Sequence, residues 1–220
     1  MFKSWLGSLK LHKINLKAAD ISSSEGKLAS LACVSTEGIL YLWCNPTPGR
    51  KFPTSSYPTK VPTSEKMAQV ALGTDHMLTL GISGTVYSSG KKTSGQLGRP
   101  NATNFSILHL EEVGFPTKQT IIQIACRGPH SAALTASGLV YVWGKSLVDN
   151  YKNIKTPTRI DLFFDSIDHS CIMIKSISMS SSNKYRDETY ILALTKDNKL
   201  YAWGKDSLGQ CGIRIDFLLF

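Results

Sequence analysis

The chain has 220 residues, 42% of them hydrophobic and 19% charged, with a formal net charge of +9. That length can bury a sizeable core in one or two domains, and no run approaches the ~20 apolar residues of a membrane-spanning helix. Its cysteines, Cys33, Cys44, Cys126, Cys171 and Cys211, are odd in number and include no C-x-x-C pair. This argues against a zinc ribbon or a disulfide framework, and for reduced, mostly core thiols in a cytoplasmic or nuclear protein.

Residues 1–27 form a basic N-terminal segment. Lys3, Lys10, Lys13 and Lys17 occur in residues 1–19 without an acidic residue, and Phe2, Trp5, Leu6 and Leu9 fall at helical spacing. Two readings stand. One is a membrane-surface anchor or an organelle-targeting segment. The other is a plain tail or remnant strand around Ser4–Gly7, since the segment lacks arginine and Gly7 interrupts the pattern.

Residues 28–213 repeat. The clearest copy runs from Ile124 to Gly144, with Leu134, the turn residue Gly138 and the aromatic strand ending Trp143-Gly144. The same register holds at Val34, Gly38 and Tyr41-Leu-Trp43; at Leu80, Gly84 and Tyr87 to Gly90; and at Leu194, Asn198 and Tyr201-Ala-Trp203-Gly204. A period of about 50 residues signals a propeller or solenoid. Within each copy the apolar period is two, which predicts β-hairpins. Gly38, Gly84, Gly138 and Asn198 sit where a tight turn needs positive φ. The glycine after each of three aromatic strands (Gly90, Gly144, Gly204) releases the chain into a loop. Trp143 and Trp203 are expected at equivalent, substantially buried places in successive units.

The connectors follow in order. Pro46, Pro48, Pro53, Pro58 and Pro62 make residues 45–66 unsuitable for a central strand or helix interior, leaving a variable loop with a short outer strand near Lys60-Val61. Connectors 99–118 and 145–160 bring outer-strand candidates at Ser106–Leu110 and Thr158–Leu162. Ser178–Glu188 is longer than its counterparts and should project from the unit. Residues 214–220 are an apolar C-terminal end that needs burial.

No phosphate loop, H-E-x-x-H or nucleophile elbow is present. No catalytic group, cofactor or metal is therefore expected. Candidate partner contacts are Asp75, His76, Pro129, His130, Arg186, Asp187 and Glu188. His76 and His130 share one repeat position with Ser30 and Tyr190 and read chiefly as architecture; Asp187 and Glu188 read chiefly as solvated loop charge. The positive charge is spread as single lysines and short pairs such as Lys91-Lys92, which suggests weak attraction to nucleic acid, chromatin or anionic membrane and nothing specific.

The runs Val70–Leu80, Gly84–Tyr87, Gly95-Gln-Leu-Gly98 and Leu200–Gly212 resemble repeats of the regulator of chromosome condensation family. The resemblance implies an all-β fold: a β-propeller of four-stranded antiparallel blades, usually seven, of which about four are visible, so an incomplete propeller. For function it implies a protein-interaction module linked to small-GTPase regulation. The alternatives are a guanine-nucleotide exchange factor for a Ran-type GTPase, or a regulatory piece similar to the amino-terminal propeller of alsin-type Rab exchange factors.

Overall fold

In the computed structural model, the residues described are 16–24, 30–44, 57–102, 109–147, 153–160, 172–181 and 189–204. They form strands and connecting turns, with no helix among them. The first sheet contains β1 (Ala18–Ser23), β2 (Ser30–Ser35), β3 (Leu40–Cys44) and β4 (Thr59–Lys60). The second contains β5 (Met67–Leu72), β6 (His76–Gly81), β7 (Val86–Gly90) and β8 (Glu111–Glu112). The third contains β9 (Ile121–Arg127), β10 (His130–Thr135), β11 (Val140–Lys145) and β12 (Asn153–Arg159), and the fourth β13 (Ile174–Ser181), β14 (Thr189–Thr195) and β15 (Leu200–Gly204). In every sheet the strands pair antiparallel in chain order, the up-and-down pattern of a propeller blade.

The hairpins form where the repeat predicts. Thr135 N–H bonds to Leu139 O at 2.9 Å and Gly138 N–H to Thr135 O at 2.9 Å. This is a three-residue loop, a type I turn closed by a left-handed residue. Gly38, Gly84 and Gly138 have φ of +82°, +84° and +85°, and Asn198 takes the same place at +65°. The glycine ending the aromatic strand is required for two reasons: Gly90 has φ +109°, and a Cβ there would lie 2.5 Å from Asp75 O.

Blades stack face to face. Ala32, Val34, Leu40 and Leu42 of the first blade pack on Val70, Leu72 and Met77 of the second. Leu78, Leu80 and Val86 of the second meet Ile124, Ala133, Tyr141 and Trp143 of the third. Ala132, Leu134, Val140 and Val142 of the third meet Ile177, Ile191 and Ala193 of the fourth. The middle strands of the second and third blades, β6, β7, β10 and β11, therefore alternate between two interfaces rather than between core and water, which explains why both of their faces are buried.

The first strand of each blade is innermost, since β1, β5, β9 and β13 are successive neighbours. A polar latch joins them. Asp20 Oδ2 accepts from Val70 N–H at 2.8 Å, Gln69 Oε1 from Ile124 N–H at 3.1 Å, and Gln123 Oε1 from Ile177 N–H at 2.8 Å. Asp20, Gln69 and Gln123 occupy one repeat position, at the register shift that interrupts each inner strand. The bulge turns a side chain along the sheet edge toward the next blade. Ser176 holds this position in the fourth blade and donates to Gln123 Oε1 at 3.3 Å.

Several expectations shift in detail. β1 brings Ala18–Ser23, ahead of residue 28, into the first blade. The outer strands described are Thr59–Lys60, Glu111–Glu112 and Asn153–Arg159; the first and third overlap the candidates Lys60-Val61 and Thr158–Leu162, while residues 106–108 of Ser106–Leu110 and 161–162 of Thr158–Leu162 lie outside the described residues. The outer strands are set by their pairing with β3, β7 and β11, a signal weaker than the hairpin pattern. Trp143 is 1% exposed as expected; Trp203, its equivalent opposite Ile191, is only half-buried. Cys33 and Cys126 are free thiols. Residues 1–15 and 205–220, including Ser4–Gly7 and the apolar C-terminal run, lie outside the described residues.

Candidate partner-binding face

The topology sorts the loops onto two ends of the blades. One end carries the hairpin turns at Gly38, Gly84, Gly138 and Asn198, with the connections that lead into the next blade. The opposite end carries the loops between first and second strands and between third and fourth strands. Asp75 and Pro129 lie on that second end, half-buried. Arg186, Asp187 and Glu188 belong to the corresponding loop of the fourth blade and lie outside the described residues.

Asp75 and Pro129 are fixed through their backbones as well as their loops. Lys91 N–H donates to Asp75 O at 2.8 Å, and Lys145 N–H to Pro129 O at 3.1 Å. The Lys91 ammonium also sits 3.5 Å from Asp75 Oδ2. Across the blade boundary, Thr74 N–H donates to Gly128 O at 2.9 Å. The loops of the second and third blades are thus one hydrogen-bonded unit, not independent flaps.

His76 and His130 lie directly beneath this surface, 1% and 2% exposed. Both are enclosed by the chain itself and hydrogen-bonded within it. Ser131 Oγ donates to Gln96 O at 2.9 Å, so its oxygen accepts from His76 Nε2–H at 2.8 Å. That assignment leaves His76 Nδ1 a bare acceptor, and it has no hydrogen-bond partner. Burial, together with the neighbouring His130, pushes the His76 pKa down to about 3. His130 donates from Nδ1–H to Lys145 O at 2.6 Å, tying β10 to the end of β11.

The loop Gly95-Gln-Leu-Gly98 wedges between these two blades. Gln96 and Leu97 are 2% and 1% exposed. Trp143 Nε1–H donates to Gln96 O at 2.9 Å, and Ser88 Oγ donates to Leu97 O at 2.7 Å. Arg99 follows the wedge: it donates to Ser88 Oγ at 3.0 Å and forms an ion pair with Glu111. The sequence contains the wedge as a Gly-x-x-Gly spacing, but nothing in that spacing says which blade it enters. Among the described residues no group of three or more His, Cys, Asp or Glu side chains is placed to hold a metal ion, and no helix is long and apolar enough to cross a membrane. The arrangement is a rigid, polar, loop-built surface over a buried inter-blade network.

Stacked up-and-down blades, joined by a repeated inner-strand latch and an inter-blade loop wedge, define a β-propeller repeat protein. Residues 83–134 match the regulator of chromosome condensation (RCC1) repeat. That match runs from the second blade's hairpin turn through β7, β8, β9 and β10, so one sequence repeat straddles two blades and includes the wedge that joins them. The chain is 30% identical over 232 residues to the human E3 ubiquitin-protein ligase HERC2, a match covering 96% of this chain and 4% of that protein. It is 28% identical over 151 residues to the bovine secretion-regulating guanine nucleotide exchange factor, covering 69% of this chain and 32% of that one. The crystal structure of human WBSCR16 superposes with a TM-score of 0.73 at 20% identity, covering 93% of this chain and 52% of that one, which shows the shared fold. The chain belongs to the regulator of chromosome condensation repeat family, and it spans a minor part of the two curated relatives.

Proposed function

We propose that the chain is a protein-interaction module in small-GTPase regulation, holding its partner on the loop-bearing end that includes Asp75 and Pro129. The observation that carries this reading is the Thr74 N–H to Gly128 O bond. It joins the exposed loops of two blades into one preorganised surface, and a preorganised surface loses little ordering free energy on binding. The link to a GTPase is supported by the name of the bovine relative, an exchange factor.

Exchange activity by the chain itself is a second reading, supported by the same relative. An exchange factor needs no reactive side chain; it accelerates release by binding the nucleotide-free GTPase better than the loaded one. The net charge of +9 adds a salt-sensitive attraction to nucleic acid or chromatin, and this operates alongside the protein surface.

Binding to a Ran-type and a Rab-type GTPase, each nucleotide-free and GDP-loaded, tests the module. Release of labelled GDP at matched concentrations tests exchange. Saturable binding to one GTPase without faster release supports the module alone; binding with release establishes exchange. Absence of binding to both, with the chain folded, overturns the GTPase link.

A further inference from the structure

Among the described residues, seven large apolar side chains are exposed. Ile21 and Leu31 on the first blade and Leu200 on the fourth lie on end-blade faces, of the kind that neighbouring blades cover at the internal junctions. Tyr57 borders the undescribed stretch 45–56. The other three, Ile82, Ile122 and Met173, at 67%, 47% and 43% exposure, share the hairpin-turn end.

They fall at three repeat positions of the second, third and fourth blades. The first position precedes each inner strand: Lys66, Thr120 and Met173 stand before β5, β9 and β13. The second follows each second strand and donates to the first: Ile82 N–H to Lys66 O at 3.0 Å, Ala136 N–H to Thr120 O at 2.8 Å and Lys196 N–H to Met173 O at 3.0 Å. The third is the residue that pairing skips at each inner-strand bulge, Ala68, Ile122 and Lys175. Blade joins blade along this rim through Ile121 N–H to Gly84 O at 3.2 Å and Ile174 N–H to Gly138 O at 3.1 Å. The three positions therefore form one band across three blades.

Every residue of the band is exposed. The fold accepts Lys, Thr and Met at the first position, Ile, Ala and Lys at the second, and Ala, Ile and Lys at the third. Blade packing thus prescribes none of the three large apolar side chains, and exposed apolar groups that packing does not require mark an interaction surface. The band also holds three lysines and no acidic residue. The acids nearest it are engaged: Glu65 accepts from Ser83 and Tyr87, and Asp197 pairs with Lys199. Glu37 belongs to the turn of the first blade, outside the band.

We propose that this band docks an acidic segment of a partner protein, one in which apolar side chains stand among carboxylates. The carboxylates meet Lys66, Lys175 and Lys196, and the apolar side chains cover Ile82, Ile122 and Met173. Charge complementarity carries the choice, since lysines without an acid attract an anionic chain and repel a basic one. A nucleic acid would satisfy the lysines and leave the apolar residues facing phosphate. A flat bilayer would reach Ile82 on its turn before Ile122, which lies two residues along the chain from Thr120, a step of about 7 Å. An extended segment can follow that step. The band lies at the opposite end from Asp75 and Pro129 and does not rest on the reading of the loop-bearing end.

The test begins with selection of short random peptides displayed on phage against the full chain, which should enrich peptides carrying Asp or Glu together with apolar residues. Their affinity is then measured for variants whose new residue already occupies the same repeat position in another blade, so that the fold accepts it. Met173→Thr follows Thr120, Ile122→Ala follows Ala68, and Lys196→Ala follows Ala136. The two apolar replacements should each weaken binding by about fivefold, and Lys196→Ala by about threefold. Lys155→Ala, exposed on β12, should leave it unchanged. A DNA duplex and vesicles of phosphatidylserine and phosphatidylcholine serve as the competing probes. Selection that enriches no acidic, apolar-bearing peptide, or only peptides indifferent to the apolar replacements, would overturn the proposal. So would tighter binding of the duplex or the vesicles that Lys196→Ala weakens.

Discussion

Packing around His76 leaves its ring one comfortable protonation state. Nε2–H is committed to Ser131, and Nδ1 is buried without a partner, so a second proton would enter an enclosed site. The folded ring takes that proton only near pH 3, against 6.5 for the free side chain. Below pH 6.5 the unfolded chain therefore binds more protons than the folded one, and stability must fall as pH drops from 6.5 toward 3, by up to about 1.4 kcal/mol per unit. Above 6.5 the histidine contributes no pH dependence. Denaturant titrations at pH 7 and pH 5 should show the wild type losing on the order of 2 kcal/mol more than His76→Gln over that interval; equal losses would mean the ring is not held neutral.

Among the described residues Trp143 is the largest wholly buried side chain, with its indole N–H bound to the wedge and its ring edge-on to Phe115 at 5.9 Å. Trp143→Ala should cost roughly 3–5 kcal/mol in chemical unfolding. Trp203→Ala should cost less, because its ring is half-buried. The sequence identified the two tryptophans as equivalents, since an aromatic strand closed by glycine is a local pattern. It did not distinguish their burial, because burial at this position depends on the neighbouring blade and on the wedge it supplies.

At the scale of the strand, the latches are the feature least legible in the sequence. Asp20, Gln69, Gln123 and Ser176 differ in type, and their separation from the turn residue varies with the length of the loop between first and second strands. A bulge also shifts the alternation on which pattern reading depends. The same difficulty hid β1, whose residues Ala-Ala-Asp-Ile-Ser-Ser carry no aromatic or glycine signature. The hairpins were readable because turn chemistry and period-two alternation are both local. Removing a latch should open one junction and leave the others closed. Gln123→Leu removes the bond from Ile177 N–H together with those to Ile177 O and from Ser176; amide exchange at Ile177 should accelerate by about tenfold or more, the Ile177 N–H bond alone being worth about 1–2 kcal/mol, with Ile124 unchanged, and acceleration at both amides would show that the junctions are not separable.

For the whole molecule, blade stacking separates two kinds of surface. The end-blade faces are apolar and repeat-like, suited to another blade. The loop-bearing end carries Thr74, Asp75 and Pro129, and it is there that the proposed function places the partner. The repeat accounts for the first kind and for the Gly95–Gly98 wedge, but it does not say how the loops between first and second strands meet across a blade boundary. Hence Asp75 and Pro129 could be placed on one end from topology, whereas the Thr74 to Gly128 bond that couples their loops became visible only in the folded chain.

The most direct test of that division is the affinity of a nucleotide-free GTPase that binds the wild type, measured against single charge reversals at the two ends. Asp75→Lys on the loop-bearing end should weaken binding by about tenfold or more, and Glu37→Lys on the hairpin-turn end should change it by less than about twofold. The reverse order, or equal effects from both ends, would contradict the assignment of the partner surface to the loops.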